Sequence, residues 1–196
     1  ALFDPLGEFV GKNILYVKHS LEQTAVYLQK SVAHVNKMIC EAKEKLLVQR
    51  AKRPRPQLDD KILTDWNGLM ISSFAMAGRI LGEERYLQAA EMAAQFILKN
   101  LRRADGRLYH RYRDGEAGIL AGLEDYAFLA AGLLDLYEYS FDPQYFKEAV
   151  CLNKEMIELF WDEQGGGFFL TPKDGEELIF RPKEVYDGAV PSGNSL

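Results

Sequence analysis

"LEDYAFLAAGLLDLYE", residues 123–138, carries two adjacent carboxylates, Glu124 and Asp125, at the mouth of a helix-forming run that is otherwise apolar on nearly every side. A helix with apolar side chains all round has to be enclosed by other elements. The stretch therefore predicts an inner helix and raises the question of what surrounds it. Its carboxylates have a local explanation, because the first turn leaves backbone N–H groups unpaired and the positive end of the helix dipole favours negative charge there. A functional role has to rest on something that capping does not explain.

The surroundings come from repetition. Tyr86-Leu87 with Ala90 recurs as Tyr145-Phe146 with Ala149, and Ile97-Leu98 recurs as Met156-Ile157, each 59 residues on. Asp65-Trp66, Leu69 and Asp114-Gly115-Glu116 recur 60 residues on, as Asp125-Tyr126, Leu129 and Asp174-Gly175-Glu176. A repeat of this length holds two helices and a return. In each unit the first helix (Trp66 to Leu81; Asp125 to Tyr139) is apolar on almost every face, whereas the second (Glu84 to Leu101; Gln144 to Trp161) is amphipathic. Alternating enclosed and outer helices predict a mainly α fold, an incomplete α/α toroid. "GRLYHRYRDG" and "GGGFFLTPKDG" fit short β-hairpin or extended connections. A third unit begins at "LIFRPKEVYDGAVPSGNSL", where Asp187 stands 62 residues after Asp125. Two complete units and the start of a third read as a fragment of a longer polypeptide.

Upstream, the first nineteen residues read as a loop and a short extended segment. Ser20 with Gln23 has the spacing of a capping box, and apolar positions from Leu21 to Leu46 keep a helical period, which predicts one long helix to about Gln49. "RAKRPRP" ends it, because Pro54 and Pro56 disfavour helix. The expected organisation is an extended segment, long helix and basic linker over residues 1–56, followed by α/α-hairpin repeats over residues 57–196.

With 47% hydrophobic residues among 196 and a formal charge of −5, the chain can bury a core and offers no overall attraction to nucleic acid or an anionic membrane. The basic linker is too short and too poor in aromatics to change that. Cys40 and Cys151 stand far apart without C-x-x-C or metal-ligand spacing, as expected of reduced thiols. No apolar run reaches the roughly 18 residues of a membrane span, and no signal-peptide layout is present, so a cytoplasmic location is expected.

Four stretches carry a resemblance: "GEFVGKNIL" (7–15), "RPRPQLDDKILTDWNGLMIS" (53–72), "LEDYAFL" (123–129) and "GGFFLTPKDGEELIFRPKEVYDGAVPSGNS" (166–195). Together they resemble the thioredoxin-domain-containing family of bacterial YyaL-type proteins and animal spermatogenesis-associated protein 20. The resemblance implies a six-hairpin toroid like that of N-acylglucosamine 2-epimerases and related glycosidases, preceded by a thioredoxin-like domain that would be its partner in the same polypeptide. No C-x-x-C or βαβ pattern of such a domain occurs in this chain, and the resemblance brings no established reaction.

In a toroid, Asp65, Asp125 and Asp187 stand at equivalent mouths of inner helices and are the candidate catalytic carboxylates, with Trp66, Tyr126 and Tyr186 beside them. Carboxylates next to aromatic rings suit a sugar, which they hold by its hydroxyls and its apolar face. Two carboxylates support glycoside hydrolysis, whereas epimerisation beside a carbonyl calls for a base titrating near neutrality, commonly His. Capping for the aspartates and core packing for the rings are the competing explanations. Further candidates are Arg55, Asp59, Asp60 and Lys61 after the linker, His110 on an alternating strand, and Ser192 and Asn194 in "PSGNS", where free N–H groups at a helix start would bind an oxyanion. No metal site and no cofactor are predicted. The expected function is a carbohydrate-active or sugar-binding toroid, isomerase or hydrolase in style; the alternative is a non-catalytic scaffold attached to a thioredoxin-like domain.

Overall fold

The computed structural model describes residues 16–196. The chain divides into two compact units, one ending at Leu58 and the other starting at Asp59.

The first unit holds α1 (Leu21–Leu28) and α2 (Val32–Ala51). Ser20 and Gln23 form the expected capping box, with Ser20 Oγ accepting from Gln23 N at 3.2 Å and Gln23 Oε1 accepting from Ser20 N at 3.0 Å. The single long helix expected here is two helices. Gln29 turns into the left-handed region (φ 53°), and its N–H and that of Lys30 close back on α1 carbonyls. Ser31 then caps α2 by accepting from His34 N at 3.2 Å. A second cap three residues after the first helix ends is a local competitor that hydrophobic periodicity does not register. The extended segment expected near the N-terminus lies largely outside the described residues.

The second unit runs β1 (Ile62–Leu63), α3 (Thr64–Leu81), α4 (Glu84–Asn100), β2 (Tyr109–Arg113), β3 (Glu116–Leu120), α5 (Leu123–Ser140) and α6 (Pro143–Phe160). The strands form one antiparallel sheet in the order β1-β2-β3. Asp114 (φ 53°) and Gly115 (φ 85°) make the β2–β3 turn, both in the left-handed region that a two-residue hairpin requires. The "GGGFFLTPKDG" connection makes only one bridge, Trp161 to Phe168.

α5 is the enclosed helix the sequence predicts, with Leu123, Tyr126, Phe128, Leu129, Leu133 and Leu136 all buried. α3 departs from expectation. It packs along α5 and α4, yet Trp66, Met70, Ile80 and Leu81 face solvent. α3 and α5 approach closely enough that a Cβ on Gly132 would stand 2.4 Å from Gly68 O, and one on Gly68 would stand 2.5 Å from the Phe128 carbonyl carbon. Ser72 donates to Asp135 across the same interface. Arg102, just past α4, holds Glu148 (2.9 Å) and Glu155 (2.8 Å) of α6. This packing brings the N-termini of α3 and α5 side by side at one end of the unit, with β2 beside them.

Candidate active site

Thr64 starts α3 and donates from Oγ1 to Tyr109 O of β2 at 2.6 Å. Asp65 follows in the first turn, only 8% exposed. Its Oδ1 accepts from Trp66 N at 2.7 Å. Asp125, 3% exposed, stands three residues into α5, and its Oδ2 accepts from Gly122 N at 2.9 Å. Its Oδ1 reaches across to the neighbouring helix and accepts from Asp65 N at 3.0 Å. One carboxylate thus serves the starts of two inner helices, which accounts for a 60-residue recurrence of aspartate without invoking function.

What capping leaves unexplained is His110. Its Nδ1 lies 2.9 Å from Asp125 Oδ1 and 3.1 Å from Oδ2. A carboxylate has only acceptors to offer, so Nδ1 carries the proton and Nε2 is the nitrogen that titrates. Asp65, His110 and Asp125 each present an atom within 4.8 Å of the others. Both Asp125 oxygens are already taken by N–H groups, so the cluster reads as a hydrogen-bonded acid–base group rather than as a set of metal ligands. Asp65, His110, Gly122, Leu123, Glu124, Asp125 and Leu170 line a cleft of about 190 Å3.

The other candidates are not brought to this cleft. Asp187 is exposed and accepts from Ser192 N at 2.9 Å, closing its own turn. No third inner helix follows among the described residues, and the Ser192 N–H expected to bind an oxyanion is occupied. Tyr126 is buried in the core, where its hydroxyl accepts from Leu108 N at 3.1 Å and its ring meets Phe160. Tyr186 and Trp66 are exposed and do not line the cleft. Asn194 clamps loops, accepting from Phe168 N and donating to the Phe168 and Glu184 carbonyls. Asp59 pairs with Lys61 at 3.1 Å and Asp60 with Arg113 at 2.8 Å, which makes them mutually satisfied loop charges. Arg55 belongs to the first unit. Glu124, set aside in the sequence because it does not recur, lines the cleft. Its only signal is adjacency to Asp125 at a helix start.

No family model matches the chain. It is 40% identical over 203 residues to spermatogenesis-associated protein 20 of Homo sapiens, which takes in 98% of this chain and 26% of that protein, and 39% identical to the Mus musculus protein of the same name over the same shares. An uncharacterized protein of Caenorhabditis elegans matches at 39% over 98% of this chain and 27% of its own length. The chain belongs to the spermatogenesis-associated protein 20 family. It spans about a quarter of the length of these curated relatives.

Among solved structures, the cellobiose 2-epimerase of Bacillus thermoamylovorans matches with a TM-score of 0.57 at 18% identity, over 70% of this chain and 36% of that one. The cellobiose 2-epimerase of Spirochaeta thermophila matches at 0.54 and 20% identity, over 57% and 31%. These likenesses establish the α/α toroid fold for this member of the family. No helix among the described residues is long and apolar enough to cross a membrane. Cys40 and Cys151 are free and exposed.

The site titrates unlike free side chains. The hydrogen bond to Asp125 raises the His110 pKa above its usual 6.5, against the opposing effect of burial. Burial, with the Asp125 charge, raises that of Asp65. Burial, then the charges of Asp65, Asp125 and Glu184, raises that of Glu124. Replacing Asp125 with Asn removes the principal cause of the His110 shift, so NMR titration of the imidazole should give a lower midpoint in Asp125→Asn than in the parent.

Proposed function

We propose that the family member is a sugar-modifying enzyme whose cleft moves a proton on a carbon next to a carbonyl, in the manner of a sugar isomerase or epimerase. The observation that carries this reading is the Asp125–His110 pair with Nε2 free beside Asp65 in the cleft. It supports proton transfer over glycoside hydrolysis on two grounds. Inverting hydrolysis wants its carboxyl groups about 6.5–9.5 Å apart, and Asp65 and Asp125 present oxygens within 4.8 Å. A retaining nucleophile has to be free to attack, and both Asp125 oxygens hold N–H groups. The cleft volume suits a single sugar ring or its open chain.

The test is incubation of the full-length protein in D2O with a panel of mono- and disaccharides, followed by NMR. Loss of the C2–H signal from one sugar is the expected result, together with a ligand-dependent rise in melting temperature that Asp125→Asn lacks. No exchange and no thermal shift with any sugar would sink the reading. The scaffold alternative, with a thioredoxin-like domain as partner, draws its support from the solvent-facing run Ile179, Phe180, Val185 and Tyr186, and would then take precedence.

A further inference from the structure

Enolisation needs two groups, a base for the carbon-bound proton and an acid for the carbonyl oxygen. The cleft holds two that differ in what they have left to offer. Asp65 is nine-tenths buried, one of its oxygens accepts from Trp66 N, and Oδ2 has no hydrogen-bond partner among the described residues although the residue lines the cleft. Ionised, that oxygen is an acceptor with nothing to accept from. His110 is held the other way round: its Nδ1–H is committed to Asp125, and Nε2 has no partner among the described residues.

We propose, resting on the isomerase reading above, that Asp65 is the base and His110 the acid of the proton transfer, with Asp125 as the positioning residue that holds the imidazolium. Asp65 Oδ2 takes the proton from C2 of an open-chain aldose. The C–H electron pair becomes the C1=C2 bond of an enediol, and the carbonyl π pair moves to oxygen, which takes the Nε2 proton. In the second half, neutral Nε2 takes the O2 proton as the C2=O bond forms, and Asp65 returns its proton to C1, leaving the ketose and the enzyme in its starting state. The ionisation order agrees: Asp125 favours a charged His110, and a carboxylate whose pKa is raised by burial is a stronger base than a free one. A carboxylate base opposite an imidazole electrophile is an established pairing for this chemistry.

Around Asp65 stand Asp125 and Glu124 on α5 and His110 on β2; Arg111 on β2 acts on His110, and Glu184, after α6, acts on Glu124. The expected kcat/KM profile rises with pH as Asp65 ionises and falls as His110 loses its proton.

Because swapped roles would give the same bell, the deciding measurement is C2–H exchange in D2O by variants of the full-length protein, with D-glucose and D-mannose as probes. Asp65→Asn keeps an acceptor for Trp66 N, so its melting temperature should stay near the parent's while exchange falls about 10²–10⁴-fold. Formate should restore measurable exchange to Asp65→Ala by supplying a carboxylate. His110→Gln still donates a hydrogen bond to a carbonyl oxygen but cannot take a proton from carbon. It should retain exchange about 10²-fold down and lose the alkaline limb. Exchange at background in His110→Gln, with Asp65→Asn close to the parent, would overturn the assignment alone. A parent that exchanges no C–H at all overturns the isomerase reading and the assignment together.

Discussion

Replacing Gly132 with alanine is expected to destabilise the protein by about 3 kcal/mol, at the upper end for overpacking, because the clash is with backbone. A Cβ there would stand 2.4 Å from Gly68 O, and a peptide oxygen in mid-helix has no rotamer by which to move away. α3 would have to separate from α5. That would also pull Asp65 N away from Asp125 Oδ1, a hydrogen bond that spans the two helices. Thermal unfolding should show a fall of roughly 6–12 °C for that cost, with C2–H exchange reduced at temperatures where the variant remains folded. A melting temperature within a degree of the parent's would mean that the two helices do not cross this tightly.

Asp125→Ala is expected to lose about 3–5 kcal/mol, the cost of removing one partner from a buried, hydrogen-bonded charge pair. Two backbone donors, Asp65 N and Gly122 N, lose their acceptor along with His110. The loss should depend on pH. His110 has a folded-state pKa above its unfolded value near 6.5, so the pair contributes in full below about that pH and its contribution is lost as pH rises through the raised folded value. The parent-minus-variant difference, measured by urea unfolding, should therefore be larger at pH 6 than at pH 9. A residue of it should persist at pH 9, because the two backbone N–H groups do not titrate. A difference that stays constant or grows with pH would show that His110 is not bound in its charged form.

The inner-helix reading of residues 123–138 needed no tertiary information, because an all-round apolar pattern has one physical outcome. The Asp114-Gly115 turn was equally legible, since both positions require φ > 0 and the pair tolerates it. The aspartates at helix starts were legible as recurring residues. Their division of labour was not: Asp125 caps across to α3, whereas Asp65 caps only its own first turn and keeps one oxygen for the cleft. Tyr126 and Asp187 show the limit of arguing from repetition. Equivalent positions in a repeat share a backbone environment, but Tyr126 points into the core at Phe160, and Asp187 closes its own turn with no third inner helix after it.

What the amino-acid order determined by itself is whatever depends on neighbours along the chain: helical period, caps, the two-residue hairpin and the alternation of enclosed and outer helices. The tertiary structure alone decided that His110, fifteen residues before Asp125 and on a strand, would place Nδ1 against that carboxylate, and that Glu124 would face the same cleft. Those contacts depend on how α3, α5 and β2 pack together. The packing is set by glycine-to-backbone contacts whose distances no linear pattern encodes.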